Sequence, residues 1–99
     1  MSDYQTTLRR HRRLAILRHL EACGDYSSNA SILTDVLRGL GITSTHDQVV
    51  TELAWLAEQG LATVTDTGDL TLATVTPRGV EVALGRATHP EVQRPRPRS

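Results

Sequence analysis

Between Thr43 and Gly60 the residues TSTHDQVVTELAWLAEQG place Val49, Val50, Leu53, Leu56 and Ala57 at helical spacings. Together they make one apolar stripe about 100° wide. On the same wheel Ser44, Gln48, Thr51 and Trp55 recur at i, i+4, i+7 and i+11, which predicts an outward ridge facing solvent or a partner. Thr45 with Gln48 three residues on matches a capping box, and Gly60 supplies the stop.

The rest of the chain arranges itself around that helix. From Thr7 to Ala22 the spacing predicts a helix with Ile16, Leu17 and Leu20 on one face and Leu14 at its margin. Arg9 and Arg13 continue this face toward the N-terminus, where burial without partners is unfavourable, so this half of the helix is expected to project past the core. Residues 23 to 28, CGDYSS, read as a turn with Ser27 and Ser28 as candidate caps, and a second helix follows from Asn29 to Leu40. Its stripe is Ala30, Leu33, Val36, Leu37 and Leu40, with Ile42 plugging the glycine-containing turn that joins it to the Thr43–Gly60 helix. LATVT (61 to 65) and LTLATVT (70 to 76), separated by Asp66-Thr67-Gly68-Asp69, predict a hairpin. Thr76-Pro77 then caps a last short helix to Gly85, which offers Val80, Ala83 and Leu84 to the core. The expected fold is mainly α with a small β-hairpin, in the order α-α-α-β-β-α of a winged helix-turn-helix. The expected domain limits are a flexible stretch at 1–6, the folded domain at 7–86 and a disordered Arg/Pro-rich tail at 87–99.

Composition narrows the function classes. With no Phe, one Trp and two Tyr, the core rests on Leu, Val, Ile and Ala in a folded part of a size at which core burial alone gives marginal stability, so a homodimer burying further surface fits. Cys23 is the single cysteine, which excludes an internal disulfide and suits a reducing cytoplasm. No apolar run is long enough for a membrane span and no apolar signal core is recognised, so a cytoplasmic protein is expected. His11, His19, His46 and His89 are scattered and no glycine-rich phosphate loop is present, so neither an enzyme, a metal site nor a cofactor is expected. By phase His46 reads as a packing residue at its helix start.

The net charge of zero is unevenly spread. Residues 1–19 carry five Arg against Asp3, residues 20–85 two Arg against nine acids, and residues 86–99 four Arg against Glu91. The ends are basic and the middle is acidic. Every positive side chain is Arg; the absence of Lys is read as the mark of a GC-rich genome. The run LRRHRR is the leading candidate for a polyanion contact, with pairing to acids of the same domain as the open alternative. Arg94, Arg96 and Arg98 in the terminal segment either add phosphate attraction or form an inert solubilising end.

The run Leu53-Ala54-Trp55-Leu56-Ala57-Glu58-Gln59-Gly60-Leu61-Ala62-Thr63-Val64, followed by a hairpin and Thr76-Pro77-Arg78-Gly79, resembles winged-helix proteins of the ArsR and MarR type. The chain as a whole resembles the small ArsR-like winged-helix proteins encoded by Mu-like bacteriophages. That resemblance implies a DNA-binding regulator of transcription. Its recognition helix would bring Ser44, Asp47, Gln48, Thr51 and Trp55 to double-stranded DNA, with Asp66 to Asp69 as wing tip. Gln48 would pair with adenine in the major groove, and Arg9, Arg10, Arg12, Arg13, Arg94, Arg96 and Arg98 would contact phosphates. The sequence departs from the pattern in carrying Asp47, Glu52 and Glu58 but no Arg on that helix, and two Asp at the wing tip. The alternative is a protein-protein adaptor that docks a partner through its acidic face, Glu52 and Trp55 included.

Overall fold

The computed structural model describes residues 3–96. Seven elements follow in the order α1 (Tyr4–Ala22), β1 (Ser27–Asn29), α2 (Ala30–Gly39), α3 (His46–Glu58), β2 (Ala62–Asp66), β3 (Thr71–Val75) and α4 (Pro77–Ala83). The result is a small α/β domain of four helices and one three-stranded antiparallel sheet, with β3 between β1 and β2. The expected order α-α-α-β-β-α is thus corrected to α-β-α-α-β-β-α.

The missed strand is short and polar. Ser27, Ser28 and Asn29 pair with Thr74, Ala73 and Leu72 of β3. Ser27 Oγ lies 2.6 Å from Thr74 Oγ1, and Val75 N–H donates to the Tyr26 carbonyl. Three polar residues carry no apolar alternation, and only the partner strand makes them a strand. Ser27 and Ser28 therefore do not cap α2. Asn29 does, its Oδ1 accepting from Ile32 N–H at 2.9 Å. Tyr26 enters the strand at φ 60°, a left-handed conformation that lets the chain reverse out of α1 within four residues.

Other starts and stops follow local chemistry. α1 begins at Tyr4 rather than Thr7, because Asp3 accepts from Thr6 N–H at 2.8 Å; that bond also holds the Asp3 carboxyl below its ordinary pKa. The capping box of α3 has both of its bonds, Gln48 N–H to Thr45 Oγ1 and Thr45 N–H to Gln48 Oε1. Gly60 follows α3 at φ 75°, as a left-handed helix stop requires. The hairpin β2–β3 pairs Ala62 with Val75 through Asp66 with Thr71. Thr76 caps α4 through Gly79 N–H and also donates to the Gly60 carbonyl, tying the end of the hairpin to the end of α3.

The core lies between the helices and the sheet. α1 contributes Leu14, Ile16, Leu17 and Leu20, α2 contributes Ala30, Leu33 and Leu37, and α3 contributes Val49, Leu53 and Leu56. Leu61, Ala62, Ala73 and Val75 close it from the sheet side, and Val82 and Ala83 from α4. Leu40, expected in the stripe of α2, is exposed: α2 ends at Gly39, and Ile42 supplies the partly buried plug. Leu84 likewise lies exposed past the end of α4, where Val82 is buried in its place. Gly79 packs so closely that a Cβ there would run into the Leu61 carbonyl and a Val75 methyl.

The segment after α4 does not behave as a structureless tail over its described length. Val92 is 1% exposed within the core. Gln93 N–H donates to the Arg10 carbonyl, and His89 Nε2 lies 3.0 Å from Gln59 Oε1. One buried valine in a polar run leaves no periodicity to read, although it anchors residues 87–93 against α1 and α3. Arg98 lies outside the described residues, as do Met1 and Ser2.

Candidate nucleic-acid interface

Position on α1 decides what each arginine of LRRHRR does. Arg12 and Arg13 are 4% and 8% exposed, and the acid that accepts them, Glu52 on α3, is 3% exposed. Arg13 Nε–H donates to Glu52 Oε1 at 2.8 Å, and an Arg12 Nη1–H donates to Glu52 Oε2 at 3.3 Å. Arg12 Nε–H also donates to Ser44 Oγ at 2.7 Å, and Arg13 Nη1–H to the Glu91 carbonyl at 3.0 Å. The Arg13 guanidinium stacks 3.8 Å from the centroid of the Trp55 ring, and His89 meets the indole nearly edge-on at 5.1 Å. Buried charge is tolerated here because nearly every fork has an acceptor.

This network bears on four expectations. Arg12 and Arg13 are buried and paired with Glu52, the alternative of pairing with acids of the same domain. Ser44, expected on the outward ridge, is 6% exposed, because α3 begins only at His46 and the extended backbone at Thr45 turns Ser44 inward. Trp55 is half-buried, with its surfaces shared between Arg13 and His89. Glu52, assigned to an acidic docking face, is enclosed. The signal was present in the sequence as a matched pair of anomalies: bases on the apolar face of one helix and an acid flanking the apolar stripe of another.

The face of α3 that remains open carries Asp47, Gln48, Thr51, Ala54 and Glu58. Its axis is shifted by about one residue from the predicted ridge, keeping Gln48 and Thr51 and exchanging Ser44 and Trp55 for Asp47 and Ala54. His46, expected to pack, is exposed at the first turn. The hairpin tip with Asp66 and Asp69 is also exposed.

Arg9 borders this face, and the C-terminal segment returns to α1 at Arg10. Arg9 is exposed and Arg10 partly buried in the N-terminal half of α1, and the segment that carries exposed Arg94 and Arg96 is pinned to Arg10 through Gln93. Among the described residues none of these four forms a salt bridge. A cleft of about 270 Å³ runs from Gln5 and Arg9 on α1 to Asp47, Gln48 and Thr51 on α3. A neighbouring cleft of about 260 Å³ is lined by Thr6, Arg9, Arg10, Arg13, Pro90 and Glu91. Arg9 borders both.

Other chemistry is sparse. Among the described residues no group of His, Cys, Asp and Glu is placed to hold a metal, and no helix is long and apolar enough to cross a membrane. His19 Nε2 lies 3.6 Å from Cys23 Sγ one turn on, a local pair at the end of α1.

These observations define a class: a small α/β domain with, among the described residues, a buried Arg–Glu–Arg network and exposed arginines on α1 and in the C-terminal segment. More particularly, the chain belongs to the family of the uncharacterised protein gp26 of Escherichia phage Mu, with which it shares 46% identity over 88 residues, 89% of this chain and 91% of gp26. An uncharacterised protein of Haemophilus influenzae Rd is 39% identical over 62 residues, 63% of this chain and 60% of that protein. No family model matches the chain.

Proposed function

We propose that this phage-related chain is a winged-helix domain that binds double-stranded DNA and serves as a small regulator of transcription. The helix, strand, two helices and hairpin fit the winged-helix order, with α2 and α3 as the helix-turn-helix and β2–β3 as the wing. The observation that carries the reading is exposed Arg9 bordering the cleft that reaches the open face of α3, with Arg10 next to it on α1 and the segment of Arg94 and Arg96 bonded to Arg10 through Gln93. In this arrangement Gln48 and Thr51 reach base edges while the arginines hold the phosphates on one flank.

The acidic ridge sets a limit on affinity. Asp47 and Glu58 face outward on α3, and Asp66 and Asp69 stand at the wing tip, so the arginines must offset repulsion from four carboxylates. The same ridge favours one competing reading, an adaptor that docks a basic protein partner on α3.

Fluorescence anisotropy with mixed duplex DNA at several salt concentrations tests the proposal. Four phosphate contacts correspond to a loss of affinity of about a hundredfold between about 50 and about 200 mM salt. Replacing Asp47 and Glu58 by Asn and Gln should tighten DNA binding. Absence of binding at low salt, in the parent and in that variant alike, would contradict the DNA reading and favour the adaptor.

A further inference from the structure

We infer that the cleft between the first turns of α1 and residues 90–91 is an oxyanion site that takes a phosphate group, either free or as part of a nucleic-acid backbone. This deepens the phosphate-holding role that the DNA reading gives Arg9 and Arg10, and the test below separates the two. The anomaly that points to it is Arg10. Its Nε is buried and has no hydrogen-bond partner, a condition that buried donors almost never keep, and an acceptor meets it once the side chain turns toward the cleft. Arg12 and Arg13, on the same helix, have their Nε–H groups satisfied by Ser44 and Glu52, so the fold supplies acceptors for guanidinium groups where it encloses them.

The cleft is lined by Arg10 together with Arg9 and Thr6. Two planar forks and a hydroxyl suit an acceptor with several oxygens, which is the chemistry of a phosphate rather than of a halide. Arg13 also lines the cleft, but its Nε–H and one Nη1–H are committed to Glu52 and the Glu91 carbonyl.

The opposing charges are Asp3 and Glu91. The Asp3 carboxylate accepts from Thr6 N–H and is occupied as the cap of α1. The Glu91 backbone is fixed at both ends, its N–H donating to His89 Nδ1 and its carbonyl accepting from Arg13. Its exposed side chain forms no ion pair with Arg9 or Arg10 in the structure. It is the carboxylate that competes with an incoming anion.

The test is a titration of the ¹⁵N-labelled full chain with inorganic phosphate, following the Arg10 Nε–H resonance, against sodium chloride at matched ionic strength. The expected result is a saturable shift of Arg10 Nε–H and of the Thr6 region with phosphate alone. Arg10→Gln should weaken phosphate binding at the remaining resonances about tenfold or more, as loss of a charged hydrogen bond requires, while Glu91→Gln should strengthen it. The amide spectra of both variants report whether the fold is kept, and Glu91→Gln tests the site even if Arg10→Gln does not fold. A shift that does not saturate, or one reproduced by chloride, overturns the inference, as does an affinity unchanged by both substitutions. A short DNA duplex added to the phosphate complex separates the sources. Displacement of phosphate at Arg10 assigns the site to a nucleic-acid backbone. Retention of phosphate assigns it to the free anion, and the DNA proposal then fails while the site stands.

Discussion

Arg9 and Arg10 lie within one turn of Arg12 and Arg13 on the same helix, in one run of basic residues, yet the two pairs belong to different parts of the molecule. The second pair is enclosed with Glu52, Ser44 and Trp55 and contributes to the fold. Among the described residues the first pair forms no ion pair, with Arg9 exposed and Arg10 partly buried. The difference comes from position along the helix: Arg9 shares the face of Arg13, Ile16 and Leu20 but lies a turn nearer the N-terminus, where among the described residues no carboxylate pairs with it. Positions 12 and 13 point toward the same side as Ile16, Leu17 and Leu20, and α3 offers Glu52 opposite them. A charge count that treats all four as one basic patch therefore overstates by two the charge presented to a polyanion.

The division is exposed most sharply by removing the shared acid. Glu52→Ala leaves two buried guanidinium groups with no carboxylate, and a loss of about 3–5 kcal/mol is expected in denaturant unfolding. In a marginally stable domain this approaches complete unfolding. Replacing all three charges together, Arg12→Met with Arg13→Met and Glu52→Leu, should recover most of that loss, because no buried charge is then left unpaired. If the triple variant is as unstable as Glu52→Ala, the network does more than satisfy its own charges.

A second contrast lies in the backbone. Gly79→Ala forces a methyl group into the Leu61 carbonyl and Val75, and a destabilisation of about 1–3 kcal/mol is expected from thermal melts, with Tm falling accordingly. Thr45→Ala removes the acceptor of the α3 capping box and should lower stability by about 1 kcal/mol. The smallest effect on stability belongs to the exposed pair: Arg9→Gln with Arg10→Gln should stay within about 0.5 kcal/mol of the parent, while affinity for duplex DNA falls.

How much of this could be read from the sequence depends on whether the controlling interaction was local. The α3 capping box, the Gly60 stop, the hairpin and the Thr76 cap are each set by residues within four positions of one another, and each is present. Strand β1 was not legible, because Ser27, Ser28 and Asn29 become a strand only against β3, more than 40 residues away. The Arg12–Glu52–Arg13 network spans about 40 residues for the same reason. Ser44 was misplaced by carrying the helical wheel two residues past the helix start, and Val92 was overlooked because a single apolar residue has no period. The candidate site was legible as a list of arginines; which of them face outward required the tertiary pairing.

The most direct test compares duplex DNA binding by anisotropy, at low salt, for three proteins: the parent, Arg9→Gln with Arg10→Gln, and the charge-free core variant Arg12→Met with Arg13→Met and Glu52→Leu. The account predicts that the core variant binds like the parent while the surface variant loses at least tenfold in affinity, as expected for two lost phosphate contacts. Equal losses in the two variants, or binding that the surface substitutions leave intact, would contradict the division of the basic run into a structural half and a binding half.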